Sequence, residues 1–168
     1  MEFCLAKPTD LLEIQAMYKD LIEHLGENNL VLWDDQYPHE AFVDDIAANR
    51  LYVLVHEGEI IAAAALSQDH EGDVALNWEA PEAKSVYMER FGVHPGCGRR
   101  GIGRLMVQNA MRVAKLQDAA YLRLFVVTIN EPAIKFYESI GFQRVAGEFE
   151  LILSEDYVIH EYGFEIAL

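Results

Sequence analysis

Apolar and polar positions recur along this chain with two different periods, which separate predicted helices from predicted strands. After a weakly alternating strand candidate at 2–7, apolar residues return at helical spacing from 11 to 25, behind a Thr-Asp capping pair. Segment 26–38 shows neither period and is predicted to be an irregular connection. A second short helix is predicted over 39–50.

The rest of the chain predicts mainly strands. Two of them, 51–57 and 59–67, flank Gly58 as a hairpin. The other predicted strands are 85–93, 119–127, 142–149 and 158–167, and helices are predicted at about 101–116 and at 130–140. Strands joined by two strand–helix–strand crossovers indicate a mixed α/β sheet with helices on both faces. We expect one domain over residues 1–168.

Composition narrows the class of protein. The net charge of −15 argues against a nucleic-acid partner, because phosphate contacts need clustered Lys and Arg. The sequence contains no run of roughly eighteen or more apolar residues, so we expect no membrane span. The start of the chain does not resemble a secretion signal. Cys4 and Cys97 form no C-x-x-C motif and no disulfide framework. We therefore expect a cytoplasmic protein that contains no metal and does not bind membranes.

The basic side chains are concentrated near one glycine-rich stretch. Five of the thirteen lie within seventeen positions, namely Arg99, Arg100, Arg104, Arg112 and Lys115. A local positive patch on an acidic protein suits a small polyanion better than a long one. For Arg112 and Lys115, an exposed helix face explains the charge equally well.

The stretch VHPGCGRRGIGRLM at 93–106 contains two overlapping glycine patterns. Gly96, Gly98 and Gly101 have the spacing of a dinucleotide-binding turn. That turn normally follows the first strand, and it needs an acidic residue at the end of the next one. Here a helix and several strands come first, and the next strand ends in Val-Val-Thr. The context therefore argues against a dinucleotide site.

The second pattern is formed by Gly98, Gly101 and Gly103, which open an amphipathic helix. Glycines let the backbone approach a ligand closely, and the N–H groups of a first helical turn bind anions. The pattern therefore predicts a site for a pyrophosphate. The alternative is a helix start at which glycine only relieves crowding.

Two segments, FGVHPGCGRRGIGRLM (91–106) and NEPAIKFYESIGF (130–142), resemble hallmarks of the GNAT superfamily of N-acetyltransferases. The first looks like that superfamily's acetyl-CoA loop, Q/R-x-x-G-x-G/A, and the second like its N-x-x-A-x-x-x-Y-x-x-x-G-F motif. Gly98 stands where the family usually has Gln or Arg. Either a side-chain contact to the pyrophosphate is missing, or Arg99 replaces it.

The order of elements over 2–167 is also similar to the GNAT layout. This resemblance implies a mostly antiparallel sheet with a splayed central pair of parallel strands, 85–93 and 119–127. It further implies acetyl-CoA as the co-substrate, with its pantetheine arm between these two strands.

The resemblance assigns particular residues to acetyl-CoA. The main chain of Val93, together with that of Phe91, would bind the pantetheine arm like an added strand. Asn130 would contact the same arm or only cap its helix. The pyrophosphate would be held by the loop and the start of the next helix, that is by Gly98, Arg99, Arg100, Gly101, Ile102, Gly103 and Arg104.

Tyr137, in the second motif, is the implied general acid. A phenol with a pKa of about 10 stays protonated at neutral pH and can protonate a departing thiolate. The alternative is a core aromatic, because Tyr137 shares helical spacing with Ala133, Phe136 and Ile140.

Glu89 is the candidate general base, because a carboxylate within a half-buried strand is unusual unless it is paired or functional. It lies four residues before Val93 and is expected on the same face of the strand. Alternatively, Glu89 pairs with an arginine or lies at an exposed strand end. Water alone would then remove the proton from the amine.

The acceptor is expected to meet the connection after the first helix. Trp33, Asp34 and Tyr37 combine aromatic and acidic groups there, which suits a cationic amine. The alternative is a connector with Trp33 packed on the core. We expect transfer of the acetyl group to a primary amine of a small molecule. A peptide N-acetyltransferase and a non-catalytic CoA-binding module are the alternatives, and a homodimer is compatible with the sequence.

Overall fold

The computed structural model describes residues 1–34, 36–98, 100–154 and 157–168. The chain forms two units, which consist of residues 1–66 with 89–110 and residues 67–88 with 111–168. Among the described residues, two strands and one helix contribute to both units, because the division falls inside them. The expected single domain over 1–168 stays a prediction.

Four strands and three α-helices contribute to the first unit among the described residues. In chain order its elements are β1 (Glu2–Leu5), α1 (Leu11–Glu27), α2 (Ala41–Ala47), β2 (Leu51–His56), β3 (Glu59–Ser67), the second half of β4 (Ser85–Val93) and the start of α3 (Ile102–Leu116). The strands are ordered β1–β2–β3–β4. Both β1 and β3 run antiparallel to β2, and Gly58 turns the β2–β3 hairpin at a φ of +89°.

The apolar stripe of α1 explains how this unit forms its core. Ile14, Met17 and Tyr18 are buried at spacings of three and one, as on one face of a helix. They pack in one cluster with Phe42 of α2 and Val53 of β2. Burying side chains of this size contributes about 1.5–3 kcal/mol each. The predicted amphipathic helix is therefore confirmed, and it covers the sheet.

The second unit contains the last residue of β3, the first half of β4 and the end of α3. Its further elements are β5 (Tyr121–Val127), α4 (Glu131–Ser139), β6 (Gln143–Arg144), β7 (Phe149–Ser154) and β8 (Tyr157–Ala167). Strand β5 runs parallel to β4, with Ser85–Tyr87 opposite Tyr121–Arg123. On its other side β5 is antiparallel to β8 from Tyr121 to Val127. Strands β6 and β7 each pair with β8 in antiparallel fashion.

Most predicted elements are confirmed, and β3 and β4 have the predicted bounds. The fold class is confirmed as well, since the strands are mostly antiparallel, β4 and β5 form a parallel pair, and helices accompany them. The predicted strand 142–149 is wrong. The segment does not form one continuous strand, because β6 consists of Gln143 and Arg144 and the next strand, β7, starts at Phe149. Gly147 interrupts the segment with a φ of +107°, a backbone conformation that cannot continue a strand.

We predict that Gly163→Ala destabilises the second unit. A Cβ at Gly163 would collide with Leu76 and would lie 2.9 Å from Trp78 and 3.0 Å from Val145, all of them buried. Overpacking of this kind costs about 1–3 kcal/mol, so the thermal midpoint should fall. Gly26→Ala is the control, because its Cβ would meet nothing within 4 Å and alanine favours the helix. An unchanged midpoint for Gly163→Ala would contradict this packing.

Candidate functional site

The glycine loop connects β4 to α3 through a short 3₁₀ turn. His94 follows the strand, and its Nδ1 accepts a hydrogen bond from the backbone N–H of Gly96 at 3.0 Å. Gly101 has a φ of +77°, in the left-handed region that favours glycine. Its carbonyl accepts the first helical bond of α3, from the N–H of Leu105 at 3.0 Å. Gly101 therefore acts as the cap of α3.

With Gly101 as cap, the first turn of α3 consists of Ile102, Gly103 and Arg104. The N–H groups of a first helical turn have no partner within the helix and lie at the positive end of its dipole. Ile102 is buried and anchors the turn in the first unit, while Arg100 and Arg104 are exposed. Arg99 lies outside the described residues. The arrangement suits an anion, and the pyrophosphate site that the glycine spacing predicts stays a prediction.

Glu89 lies beside Arg90 on β4. Their side chains form an ion pair with Arg90 Nη1 at 2.7 Å from Glu89 Oε2, and 19% of the Glu89 side chain is exposed. The arginine-paired alternative is thus the one observed, and a role as base stays a prediction. Arg90 has a φ of +49°, which interrupts the strict alternation of the strand. The expectation that Glu89 and Val93 share a face therefore loses its basis, because it assumed an uninterrupted strand.

Asp45 of α2 is a central residue that the sequence analysis missed. Its side chain is fully buried and accepts hydrogen bonds from Arg90 Nε at 2.7 Å and Arg90 Nη2 at 3.1 Å. Arg50 Nε adds a third bond at 2.6 Å. A sequence signal existed, since Phe42, Asp45 and Ile46 follow helical spacing and share the buried face of α2. A carboxylate on an apolar helix face requires a cationic partner.

The three predicted acceptor residues lie in the connection between α1 and α2. Trp33 packs against the core with its ring 5.5 Å from that of Tyr18, as the alternative proposed. Asp34 Oδ1 accepts bonds from the N–H groups of Gln36 and Tyr37, both at 2.8 Å. The bonds from Tyr37 and then Gln36 lower the pKa of the Asp34 carboxyl. Asp34 thus shapes the turn that presents Tyr37.

Tyr37 joins this connection to the charged cluster on β4. Its side chain is 47% exposed, and its hydroxyl lies 3.4 Å from Nη1 of Arg90. The structure therefore brings Tyr37 and Glu89 to the same guanidinium, although 52 positions separate them in the chain. Trp33 supports that arrangement by packing against the core, and Asp34 supports it by accepting the hydrogen bonds of the turn that contains Tyr37.

In the second unit, Asn130 and Tyr137 belong to α4. Asn130 caps the helix, since its Oδ1 accepts a bond from the N–H of Ala133 at 3.2 Å. Tyr137 is buried, with its ring 5.5 Å from Phe142 and 6.2 Å from Phe164. Burial raises the pKa of the Tyr137 phenol well above its ordinary value. The phenol is therefore protonated throughout the physiological range, whether or not it acts as an acid.

Arg123 of β5 was also missed. It is almost fully buried, and its guanidinium reaches Glu165 Oε2 at 3.2 Å and Asp73 Oδ1 at 3.2 Å. Its Nη1 also lies 3.3 Å from the hydroxyl of Tyr87, the residue opposite Arg123 in the parallel register. A cleft of about 330 Å³ adjoins these side chains. Because the guanidinium is paired within the protein, the cluster ties the paired ends of β4 and β5 to β8.

In the described part of the chain, no three His, Cys, Asp or Glu side chains are grouped as a metal site would require. Among the same residues, no helix combines the length and the apolar character needed to span a membrane.

Comparison with known proteins decides the family. The model of the acetyltransferase (GNAT) family matches residues 15–142. The chain belongs to the GNAT family of acetyltransferases. It is therefore an acyltransferase, as its two motifs indicated.

Individual relatives agree with this assignment. The N-alpha-acetyltransferase RimI of Mycobacterium tuberculosis is 31% identical over 120 residues, which are 71% of this chain and 69% of that protein. The streptothricin acetyltransferase of Streptomyces lavendulae is 30% identical over 86 residues, or 51% of this chain. That match spans only 45% of the streptothricin enzyme. A crystal structure of a GNAT family acetyltransferase from Streptococcus agalactiae has the same fold, with a TM-score of 0.84, 17% identity and coverage of 99% and 95%.

We predict that Gly101→Val weakens the binding of acetyl-CoA roughly tenfold, because a strained cap misaligns N–H groups whose bonds to an anion contribute about 1.5–3 kcal/mol each. The change can be measured by isothermal titration calorimetry. Gly58→Val is the matched control, since Gly58 also has a positive φ and open space for a Cβ but lies in the β2–β3 hairpin. Both variants should lose stability, and equal affinities in the two would count against the loop as the pyrophosphate site.

Proposed function

We propose that this GNAT acetyltransferase transfers the acetyl group of acetyl-CoA to a primary amine of a small molecule. The start of α3 is the observation on which this rests. A glycine cap with a positive φ precedes the first turn of Ile102, Gly103 and Arg104, whose N–H groups are suited to bind an anion, and Arg100 is exposed nearby in the chain. The pyrophosphate of acetyl-CoA is the anion that the family's reaction supplies.

Further contacts to acetyl-CoA follow the same proposal. Gly98 lets the loop approach the pyrophosphate closely, and Arg99 is proposed to provide the side-chain contact that Gly98 cannot. The main chain of Phe91 and Val93 binds the pantetheine arm, and the Val93 N–H polarises the thioester oxygen. Asn130 contacts the arm in addition to capping α4.

The reaction is a direct attack. The lone pair of a neutral amine forms a C–N bond to the thioester carbon, and the C–S bond then breaks. The departing thiolate of CoA takes the proton of the Tyr137 phenol, which solvent later restores. Before the attack, Glu89 removes a proton from the ammonium form of the amine, either directly or through a water molecule. The proton that the nitrogen loses after the attack passes to solvent. The products are an N-acetyl amine and CoA with a free thiol.

The raised pKa of Tyr137 has a definite consequence for the pH profile. An ordinary phenol loses its proton near pH 10, and burial moves this loss to higher pH. The acid is therefore present at all lower pH values.

We predict that Tyr137→Phe lowers kcat about 10²–10⁴-fold, the usual contribution of a positioned acid, while the Kd for acetyl-CoA stays unchanged. In the wild type, kcat should show no decline between pH 7 and about 9.5, because the phenol keeps its proton there. Steady-state release of CoA thiol measures both quantities. Tyr52→Phe is the control, since Tyr52 is a half-buried tyrosine of β2 stacked on Phe3. Unchanged turnover in Tyr137→Phe would leave Tyr137 with a packing role only.

The second candidate is a peptide N-acetyltransferase, which the similarity to RimI favours. The similarity to the streptothricin acetyltransferase, in contrast, favours a small-molecule acceptor. We prefer the small molecule because no acidic groove for a basic protein tail can be inferred from the sequence. Trp33, Asp34 and Tyr37 are proposed to receive the acceptor.

We predict thiol release from acetyl-CoA with at least one amine in a panel of polyamines, aminoglycosides, amino acids and short peptides. Small cationic amines should give the highest kcat/KM. Preferred turnover of a peptide N-terminus would favour the second candidate instead. Binding of acetyl-CoA without release for any amine would indicate a non-catalytic CoA-binding module.

A further inference from the structure

We propose that Arg90 is a positioning residue, which holds the Glu89 carboxylate and the Tyr37 hydroxyl in place for the acceptor, with Asp45 as its anchor. This role rests on the proposed function, in which Glu89 receives the proton of the amine. It goes further because it assigns the positioning of Glu89 to the guanidinium of Arg90 and to the buried carboxylate of Asp45.

The backbone of Arg90 is held in an unusual conformation by the residues around it. Its φ of +49° is unusual for a residue other than glycine and is maintained only when the surroundings enforce it. The hydroxyl of Tyr18 donates a hydrogen bond to the Arg90 carbonyl. Tyr18 is fully buried, and a Cβ at Gly92 would lie only 2.9 Å from its ring. Helix α1 therefore locks β4 at Arg90.

The guanidinium of Arg90 has two sides with different partners. On one side, Nε and Nη2 bind the two oxygens of Asp45 at 2.7 and 3.1 Å, the paired geometry that a guanidinium forms with a carboxylate. On the other side, Nη1 reaches Glu89 at 2.7 Å and the Tyr37 hydroxyl at 3.4 Å. Only a planar fork can bind on both sides at once, so lysine is not equivalent here.

Charge and exposure show which residues of the cluster can meet a substrate. Burial alone would lower the pKa of Arg90, but Glu89, Tyr37 and Asp45 raise it above its ordinary value, so Arg90 stays charged. Only 9% of its side chain is exposed, against 19% for Glu89. Arg90 is thus occupied by protein groups, and it acts on an acceptor through Glu89 and Tyr37.

Arg50 provides a matched comparison. It binds the same carboxylate, with Nε at 2.6 Å from Asp45 Oδ1, and 39% of its side chain is exposed. The hydrogen bonds described for its side chain lead to Asp45 and to neither Glu89 nor Tyr37. A change at Arg50 therefore weakens the anchor without removing the contacts that position the base.

The experiment compares Arg90→Lys with Arg50→Lys in the full-length protein. Both keep the charge, and both lose guanidinium bonds to Asp45, so both thermal midpoints should fall. We expect Arg90→Lys to lower kcat with the preferred amine at least tenfold, with the KM for acetyl-CoA unchanged within twofold. Arg50→Lys should keep kcat within twofold of the wild type. Equal losses of kcat in the two variants would overturn the positioning role.

A double-mutant cycle separates positioning from packing. If Arg90 acts through Glu89, Glu89→Gln should cost much less in the Arg90→Lys background than in the wild type. Additive losses would overturn the proposal, even if Arg90→Lys alone is slow because it is poorly folded. Tyr37→Phe, at an exposed position, should raise the KM for the amine and not that for acetyl-CoA. An unchanged KM for the amine would contradict the proposal that the Tyr37 hydroxyl is held in place for the acceptor.

The outcomes also separate this proposal from the proposed function. A wild type that releases no CoA thiol with any amine overturns both. A wild type that turns over, combined with equal losses or additive effects, overturns only the role of Arg90.

Discussion

A guanidinium buried in a β-sheet must be paired with carboxylates, and each unit of this protein contains one. In the first unit, Arg90 lies between Asp45 and Glu89, and in the second unit Arg123 lies between Asp73 and Glu165. Removal of one partner from a buried ion pair typically costs about 3–5 kcal/mol, because the other charge is left without a partner. The position of each arginine therefore depends on at least one carboxylate far away in the chain.

This constraint organises the part of the first unit that is proposed to meet the acceptor. Asp45 comes from α2, Tyr37 from the connection before it, and Glu89 from β4, and all three contact the guanidinium of Arg90. The turn at Asp34 presents Tyr37 in this arrangement. A single buried cation thus joins three separate elements into one surface, on which a carboxylate and a hydroxyl have defined positions.

The sequence predicted most of the fold because its signals are local. Strands β3 and β4 have the predicted bounds, since alternation and the flanking turns act within a few residues. The cap of α4 by Asn130 and the glycine start of α3 were predictable for the same reason. The prediction was wrong at 142–149, because it followed the pattern of apolar residues and did not allow for a break at Gly147, whose φ is positive in the structure. The prediction was also incomplete at Arg123. This residue lies in a strand of otherwise apolar and aromatic residues, so the strand was interpreted as a buried apolar run and the charge was not considered.

By itself, the sequence determined the glycine loop, the tyrosine of the second motif and membership of an acetyltransferase family, because each depends on backbone geometry or on spacing within one segment. Only the tertiary structure decided the partners of Glu89 and the burial of Asp45. Asp45 and Arg90 are 45 positions apart, and no local pattern states which carboxylate will meet which guanidinium. That choice is made when helix and strand pack together and water is excluded, since an unpaired charge is then too costly to leave buried.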